Sequence, residues 1–148
     1  METAEEYIKR IHDNLKLHID ENPTGICSLF AYQVARRLKL EEREFEFVLF
    51  QDLIFEGKDD YHTRPMYPVL YNRKVGMGGH IVTCENLTAF DPLIGKPTPL
   101  DQYCKEAFGE ELPSRCLSKR DKEFIFERGE RMSKPNYFIL PRFSFGAI

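Results

Sequence analysis

The chain of 148 residues has no tryptophan, no long apolar run and no excess of basic residues. Its formal net charge of −3 argues against a dedicated nucleic-acid binder, because few cations are left over to neutralise phosphates. No apolar stretch approaches the roughly 20 residues of a membrane span, and the acidic start over residues 1–6 is unlike a signal peptide. We therefore expect a globular chain that binds neither nucleic acid nor membrane.

The cysteines show none of the spacings that bind metals. They lie at positions 27, 84, 104 and 116, with no Cys-x-x-Cys pair and no short Cys/His cluster. A zinc site is therefore not expected, and neither is a disulfide framework in a chain of this length without an export signal. We predict reduced thiols, as in the cytoplasm, and no metal or other cofactor. A metal-dependent hydrolase built on His62, His80 and carboxylates is a weaker alternative.

Hydrophobic residues nonetheless make up 42% of the chain, enough for the core of one domain over residues 1–148. Apolar residues at helical spacing predict helices over residues 3–19, 25–40 and 100–108. Alternating or β-branched runs predict strands at five places, which are residues 44–55, 80–84, 87–91, 124–126 and 137–140. Two prolines make 61–75 an edge strand or an ordered loop, and 109–119 is expected to be irregular. Helices followed by an antiparallel sheet indicate an α+β fold.

One cysteine stands at the start of a predicted helix. Asn22-Pro23 and Gly25 predict a turn, with Thr24 as the N-cap and Cys27 in the first helical turn. Free amide donors and the positive end of the helix dipole lie there, and both favour thiolate over thiol. With a base beside it this cysteine would be a nucleophile, and without one it is a small apolar residue on the buried stripe.

A histidine and an aspartate are predicted to meet across a hairpin. His80 follows the glycine-rich segment 76–79 and opens one strand, and Asp91 ends the strand that returns from the tight turn at 85–86. Folded about that turn, the two residues lie opposite or diagonal and within reach of each other. A nucleophilic cysteine needs a base, and the base needs a partner that fixes its tautomer. Cys27, His80 and Asp91 are therefore the predicted catalytic triad.

The order of these three residues resembles that in the compact forms of the papain-like superfamily, namely transglutaminase-like cysteine peptidases and bacterial papain-fold toxin domains. In such proteins a cysteine opens a helix packed on an antiparallel sheet, and a histidine and an aspartate or asparagine come from consecutive strands. The likeness spans about residues 20–105. Its matching motifs are Gly25-Ile26-Cys27-Ser28, Gly78-Gly79-His80-Ile81-Val82 and Ala89-Phe90-Asp91-Pro92.

The resemblance implies acyl transfer to water or to an amine. The Cys27 thiolate would attack a carbonyl carbon, His80 would move the proton and Asp91 would hold the imidazole, giving proteolysis, deamidation or transamidation. It also implies a protein or peptide substrate, a bacterial effector or toxin role with delivery into a target cell, and an inhibitor or immunity protein as partner. The alternative is a non-catalytic protein-interaction module on the same fold.

Two family features are missing around the cysteine. No aromatic residue follows Cys27 and no glutamine precedes it. We therefore expect the backbone amide of Cys27, together with Asn22 or another backbone amide, to stabilise the oxyanion. Tyr71, Met77 and Gly79 are candidates to line the cleft, with core packing as the other interpretation of the two large side chains.

Overall fold

The computed structural model describes residues 1–19, 26–55, 57, 61–71 and 77–133. Within these ranges the chain has the predicted α+β architecture. Its helices are α1 (Ala4–Leu17), α2 (Cys27–Leu40), α3 (Leu100–Phe108) and α4 (Lys119–Met132). Its strands are β1 (Glu46–Phe50), β2 (Asp52–Phe55), β3 (Tyr61–Arg64), β4 (His80–Glu85), β5 (Thr88–Phe90), β6 (Thr98–Pro99) and β7 (Ser114–Cys116), and a 3₁₀ turn spans Val69–Tyr71. None of the described helices is long and apolar enough to cross a membrane.

Five strands form one antiparallel sheet in the order β6-β5-β4-β1-β7. β2 and β3 form a separate two-stranded hairpin. β4 lies at the centre of the large sheet, with β1 beside residues 80–84 and β5 beside residues 83–85 only. The first half of β4, where His80 lies, therefore has a strand neighbour on one edge only within the described chain.

Helices cover both faces of this sheet because side chains alternate along its strands. On one face Thr83 donates a 2.6 Å hydrogen bond to the main chain of α2, and Phe47 packs against α4. On the other face Phe50 and His80 contact aromatic rings of α3. The start of β4 is thus enclosed between α2 and α3.

The first two helices follow the predicted periodicity. Thr3 caps α1 in a capping box with Glu6, and the apolar stripe of this helix is buried. α2 is buried along most of its length, between α1, α4 and β4. Its first residue is Cys27, which fixes this side chain at the end of a helix that packing holds on the sheet.

Three predicted elements are wrong. The run over 44–55 is broken after Gln51. The amide of this residue extends the pairing of β1 with β7 by bonding the carbonyl of Pro113, whereas β2 pairs with β3 in a separate sheet. Residues 109–119 contain β7. Residues 124–126 lie within α4, where the Ser118 cap and burial of Ile125 at helical spacing outweigh β propensity. The predicted strand at 137–140 lies outside the described residues.

Candidate active site

The site begins at the N-terminus of α2, where no side chain of the described residues caps the helix. The N-cap residue is Ile26, and its carbonyl accepts from the amides of Leu29 and Phe30. In the part of the chain that the structure describes, the amides of Cys27 and Ser28 have no recorded acceptor. The helix therefore presents donors beside the thiol, as predicted, while the proposed cap Thr24 lies outside the described residues.

His80 and Asp91 meet as the hairpin predicts. Thr83 pairs with Phe90 in the β4–β5 register, which puts Asp91 diagonal to His80. Nε2 of His80 lies 2.7 Å from Oδ2 of Asp91, and each residue is only 2% exposed. This short contact is a buried, charge-assisted hydrogen bond that fixes the orientation of the imidazole.

The thiol of Cys27 interacts with the same imidazole. Because Asp91 holds Nε2 of His80, Nδ1 is the ring nitrogen left to interact with the sulfur. Nδ1 is buried and has no hydrogen-bond partner of regular geometry within the described residues. Hydrogen bonds of this kind are often long or poorly aligned before substrate binds. The amide of Ile81 also lowers the pKa of the thiol, and Cys27 itself is half-buried.

The three groups shift one another's pKa values in the direction of charge separation. Burial lowers the pKa of His80, but the Asp91 carboxylate and the Cys27 sulfur raise it to about 10. Burial raises the pKa of Cys27, but hydrogen bonding to His80, the charge of its ring and the Ile81 amide lower it overall. Burial also raises the pKa of Asp91, yet His80 and further donors hold it below its usual value. The arrangement favours a thiolate beside an imidazolium at neutral pH.

The other cysteines lack this environment. Burial raises the pKa of Cys84 to about 12, and burial also raises the pKa of Cys104. Cys116 is exposed on β7. Unlike Cys84 and Cys104, Cys27 has a pKa that a neighbouring base lowers.

Asp91 has two further hydrogen-bond donors that sequence reasoning missed. The amide of Leu93 donates to Oδ1 at 2.9 Å, and the hydroxyl of Tyr103 donates to Oδ2. The first contact is an Asx turn, which the sequence Asp-Pro-Leu could have indicated because aspartate commonly bonds the amide two residues on. No local signal marks Tyr103, since its role depends on how α3 packs on the sheet.

The residues predicted to line the cleft lie in different environments. Tyr71 and Met77 are 3% and 8% exposed and belong to the hydrophobic core, which agrees with the packing interpretation, and a place in the cleft stays a prediction. Met77 is held there by two main-chain hydrogen bonds to Met66. Gly79 is half-buried next to His80. Asn22, the expected oxyanion donor, lies outside the described residues.

The positions of the histidines and the shape of the surface bear on a metal site and on a binding groove. His62 lies on β3, in the small hairpin, whereas His80 lies in the large sheet. Within residues that the structure places, no group of three or more His, Cys, Asp and Glu side chains could hold a metal ion. A groove of about 940 Å³ runs along α4 and the residues before β1, lined by Lys39, Phe45 and Lys122 among others, and includes no member of the triad.

Comparison with known proteins returned no relative: no protein-family model, no curated protein and no solved structure matches the chain. Its function is therefore inferred from the geometry of its own residues.

Proposed function

We propose that the protein is a cysteine-dependent acyl-transfer enzyme with a Cys27–His80–Asp91 triad on a papain-like, transglutaminase-like fold. The observation that carries the proposal is the His80–Asp91 hydrogen bond of 2.7 Å inside the core, which leaves Nδ1 of His80 to the Cys27 thiol. A nucleophile, a base and a group that orients the base are the parts that nucleophilic catalysis needs.

Cys27 and His80 carry out the steps, while Asp91 holds the imidazole by its contact with Nε2. The Cys27 thiolate attacks the carbonyl carbon of a peptide or side-chain carboxamide, and the carbonyl electrons move onto its oxygen. The amides of Cys27 and Ser28, which have no acceptor among the described residues, donate to that oxyanion. Imidazolium His80 gives its Nδ1 proton to the departing amine, which leaves a thioester on Cys27. Water or an amine then attacks the thioester while His80 accepts its proton, and the thiolate returns.

The chain order and the elements that present the triad support the papain-like part of the proposal. The cysteine opens α2, the histidine opens β4 and the aspartate directly follows β5. This is the arrangement that the resemblance implies. A protein or peptide substrate and an effector or toxin role belong to the same proposal and rest on that resemblance.

A non-catalytic interaction module on the same scaffold is the second candidate. Burial favours it, since His80 and Asp91 are each 2% exposed and Cys27 is half-buried. In this case the buried ion pair would serve structural specificity instead of chemistry. The two candidates differ in whether Cys27 forms and releases an acyl group.

Acylation by a small activated ester, p-nitrophenyl acetate, tests the proposal. Peptide mapping by mass spectrometry should find acetyl on Cys27 before Cys116, and nitrophenol release should continue after the first turnover. Cys27→Ala should abolish the turnover, whereas Cys116→Ala, the matched control, should leave it unchanged. Acetylation of Cys27 no faster than that of Cys116 would refute catalysis and leave the interaction module.

A further inference from the structure

Helix α3 places two aromatic side chains against the buried His80–Asp91 pair. The hydroxyl of Tyr103 donates to Oδ2 of Asp91, the same oxygen that bonds Nε2 of His80. The ring of Phe108 lies edge to face with the imidazole of His80, with ring centroids 5.6 Å apart. α3 therefore contacts both buried members of the triad.

Three donors together fix the Asp91 carboxylate. Leu93 holds Oδ1, while His80 and Tyr103 share Oδ2. Rotation of the carboxylate about its Cβ–Cγ bond would break all three hydrogen bonds. Tyr103 is 0% exposed, so water is not available to its hydroxyl as a substitute partner.

The Tyr103 ring is held independently of its hydroxyl. It packs on Phe50 and Phe108, with centroid separations of 5.1 and 6.3 Å. A phenylalanine at this position would keep those contacts and lose only the hydrogen bond to Asp91. The contribution of the hydroxyl can therefore be separated from that of the ring.

We propose that Tyr103 is a positioning residue whose hydroxyl holds Asp91 so that Oδ2 keeps Nε2 of His80 and directs Nδ1 toward the Cys27 thiol. This inference rests on the proposed function. Tyr103 does not touch the reacting atoms and acts through Asp91 alone. Without the hydroxyl, Asp91 can turn, the imidazolium loses part of its stabilisation, and the pKa of the thiol moves up toward its usual value.

The rate of Cys27 alkylation by iodoacetamide, measured against pH, tests the role. At about pH 6.5, Tyr103→Phe should lower this rate about tenfold, the size expected for one hydrogen bond to a charged group, and should shift the acid limb of the profile upward. Tyr7→Phe is the matched control. Tyr7 is also 0% exposed, and within the described residues its hydroxyl bonds nothing, so this variant should leave rate and profile unchanged.

A double-mutant cycle separates positioning from general packing. In the Asp91→Ala background Tyr103→Phe should have no further effect on Cys27, because the carboxylate through which Tyr103 acts is absent. An equal tenfold loss in both backgrounds, or no loss in either, would overturn the inference. So would the lack of a solvent-protected Tyr103 hydroxyl proton in the NMR spectrum of the wild-type protein, a readout that needs no folded variant.

The same alkylation measurements test the proposed function separately from the role of Tyr103. If Cys27 of the wild-type protein reacts no faster than Cys116, the catalytic proposal fails and takes this inference with it. If Cys27 is reactive and depends on His80 and Asp91 but is indifferent to Tyr103→Phe, only the positioning role is wrong.

Discussion

Replacing His80 by alanine should convert Cys27 from the most reactive thiol of the chain into one of the least reactive. In the wild-type protein the pKa of His80 is raised to about 10, so the ring is a cation at neutral pH and lowers the pKa of Cys27. His80→Ala removes that cation and the hydrogen bond. The desolvation of Cys27 that remains raises the pKa of the thiol.

The size of the effect follows from ionisation. A thiol with an ordinary pKa near 8.5 is about 3% thiolate at pH 7, so full ionisation of Cys27 gains at most about 30-fold over such a thiol. The gain is partly offset because a less basic thiolate is a weaker nucleophile. Below its pKa an ordinary thiol loses about tenfold in thiolate for each further pH unit. The contrast between Cys27 and an ordinary cysteine should therefore widen as the pH falls.

The assay is site-resolved alkylation by iodoacetamide between about pH 5.5 and pH 8.5, with peptide mapping by mass spectrometry. Exposed Cys116 serves as the internal reference. We expect His80→Ala to reduce the rate at Cys27 by at least about tenfold at pH 7, with an unchanged rate at Cys116. His62→Ala, on the exposed face of β3, is the matched histidine control.

Two results would refute this reasoning. One is an alkylation rate at Cys27 that His80→Ala leaves unchanged at every pH. The other is a wild-type profile for Cys27 that runs parallel to that of Cys116, because a thiol paired with an imidazolium must keep more of its reactivity in acid.

Further predictions concern stability. Gly129→Ala should destabilise the fold by about 1–3 kcal/mol in urea unfolding, because the new Cβ would lie 2.2 Å from a ring atom of Tyr32; unchanged stability would contradict that packing. Thr83→Val should cost about 1 kcal/mol by removing the buried hydrogen bond to α2, and Thr83→Ser should retain it. The pKa of His80 is about 10 in the folded protein and near 6.5 in the unfolded chain, so the protonated ring stabilises the fold fully below about pH 6.5. This stabilisation is lost as the pH rises toward about 10. The lowered pKa of Asp91 contributes stability above its unfolded value, near 3.9, that is lost in acid, so the urea midpoint should fall at both ends of a pH series. A midpoint equally high at pH 7 and at about pH 10 would be inconsistent with the histidine shift.

Local patterns predicted the elements that carry the three residues of the proposed triad. The apolar stripe of α1, the run that begins at Cys27 and the helix over Leu100–Phe108 all follow helical periodicity, which depends on neighbours three and four residues apart. The approach of His80 to Asp91 was equally readable, because a tight turn sets the register of the two strands it joins.

Local patterns were less informative where the structure depends on contacts between residues that are distant in sequence. Phe124-Ile125-Phe126 has strand propensity, yet it forms part of α4, which packs on α2 and buries Ile125. Tyr71 and Met77 precede the predicted base in sequence, but both side chains pack in the core, because the burial of apolar surface and not proximity along the chain determines where they lie.

The sequence by itself determined the candidate residues, their helix and strands, and the pairing of histidine with aspartate, because periodicity and turn geometry act over short distances along the chain. Only the tertiary structure decided that Cys27 at the start of α2 meets the His80 ring and the Ile81 amide, and that Tyr103 of α3 bonds Asp91. These contacts depend on how helices dock on both faces of the sheet, and docking is set by the packing of side chains far apart in sequence.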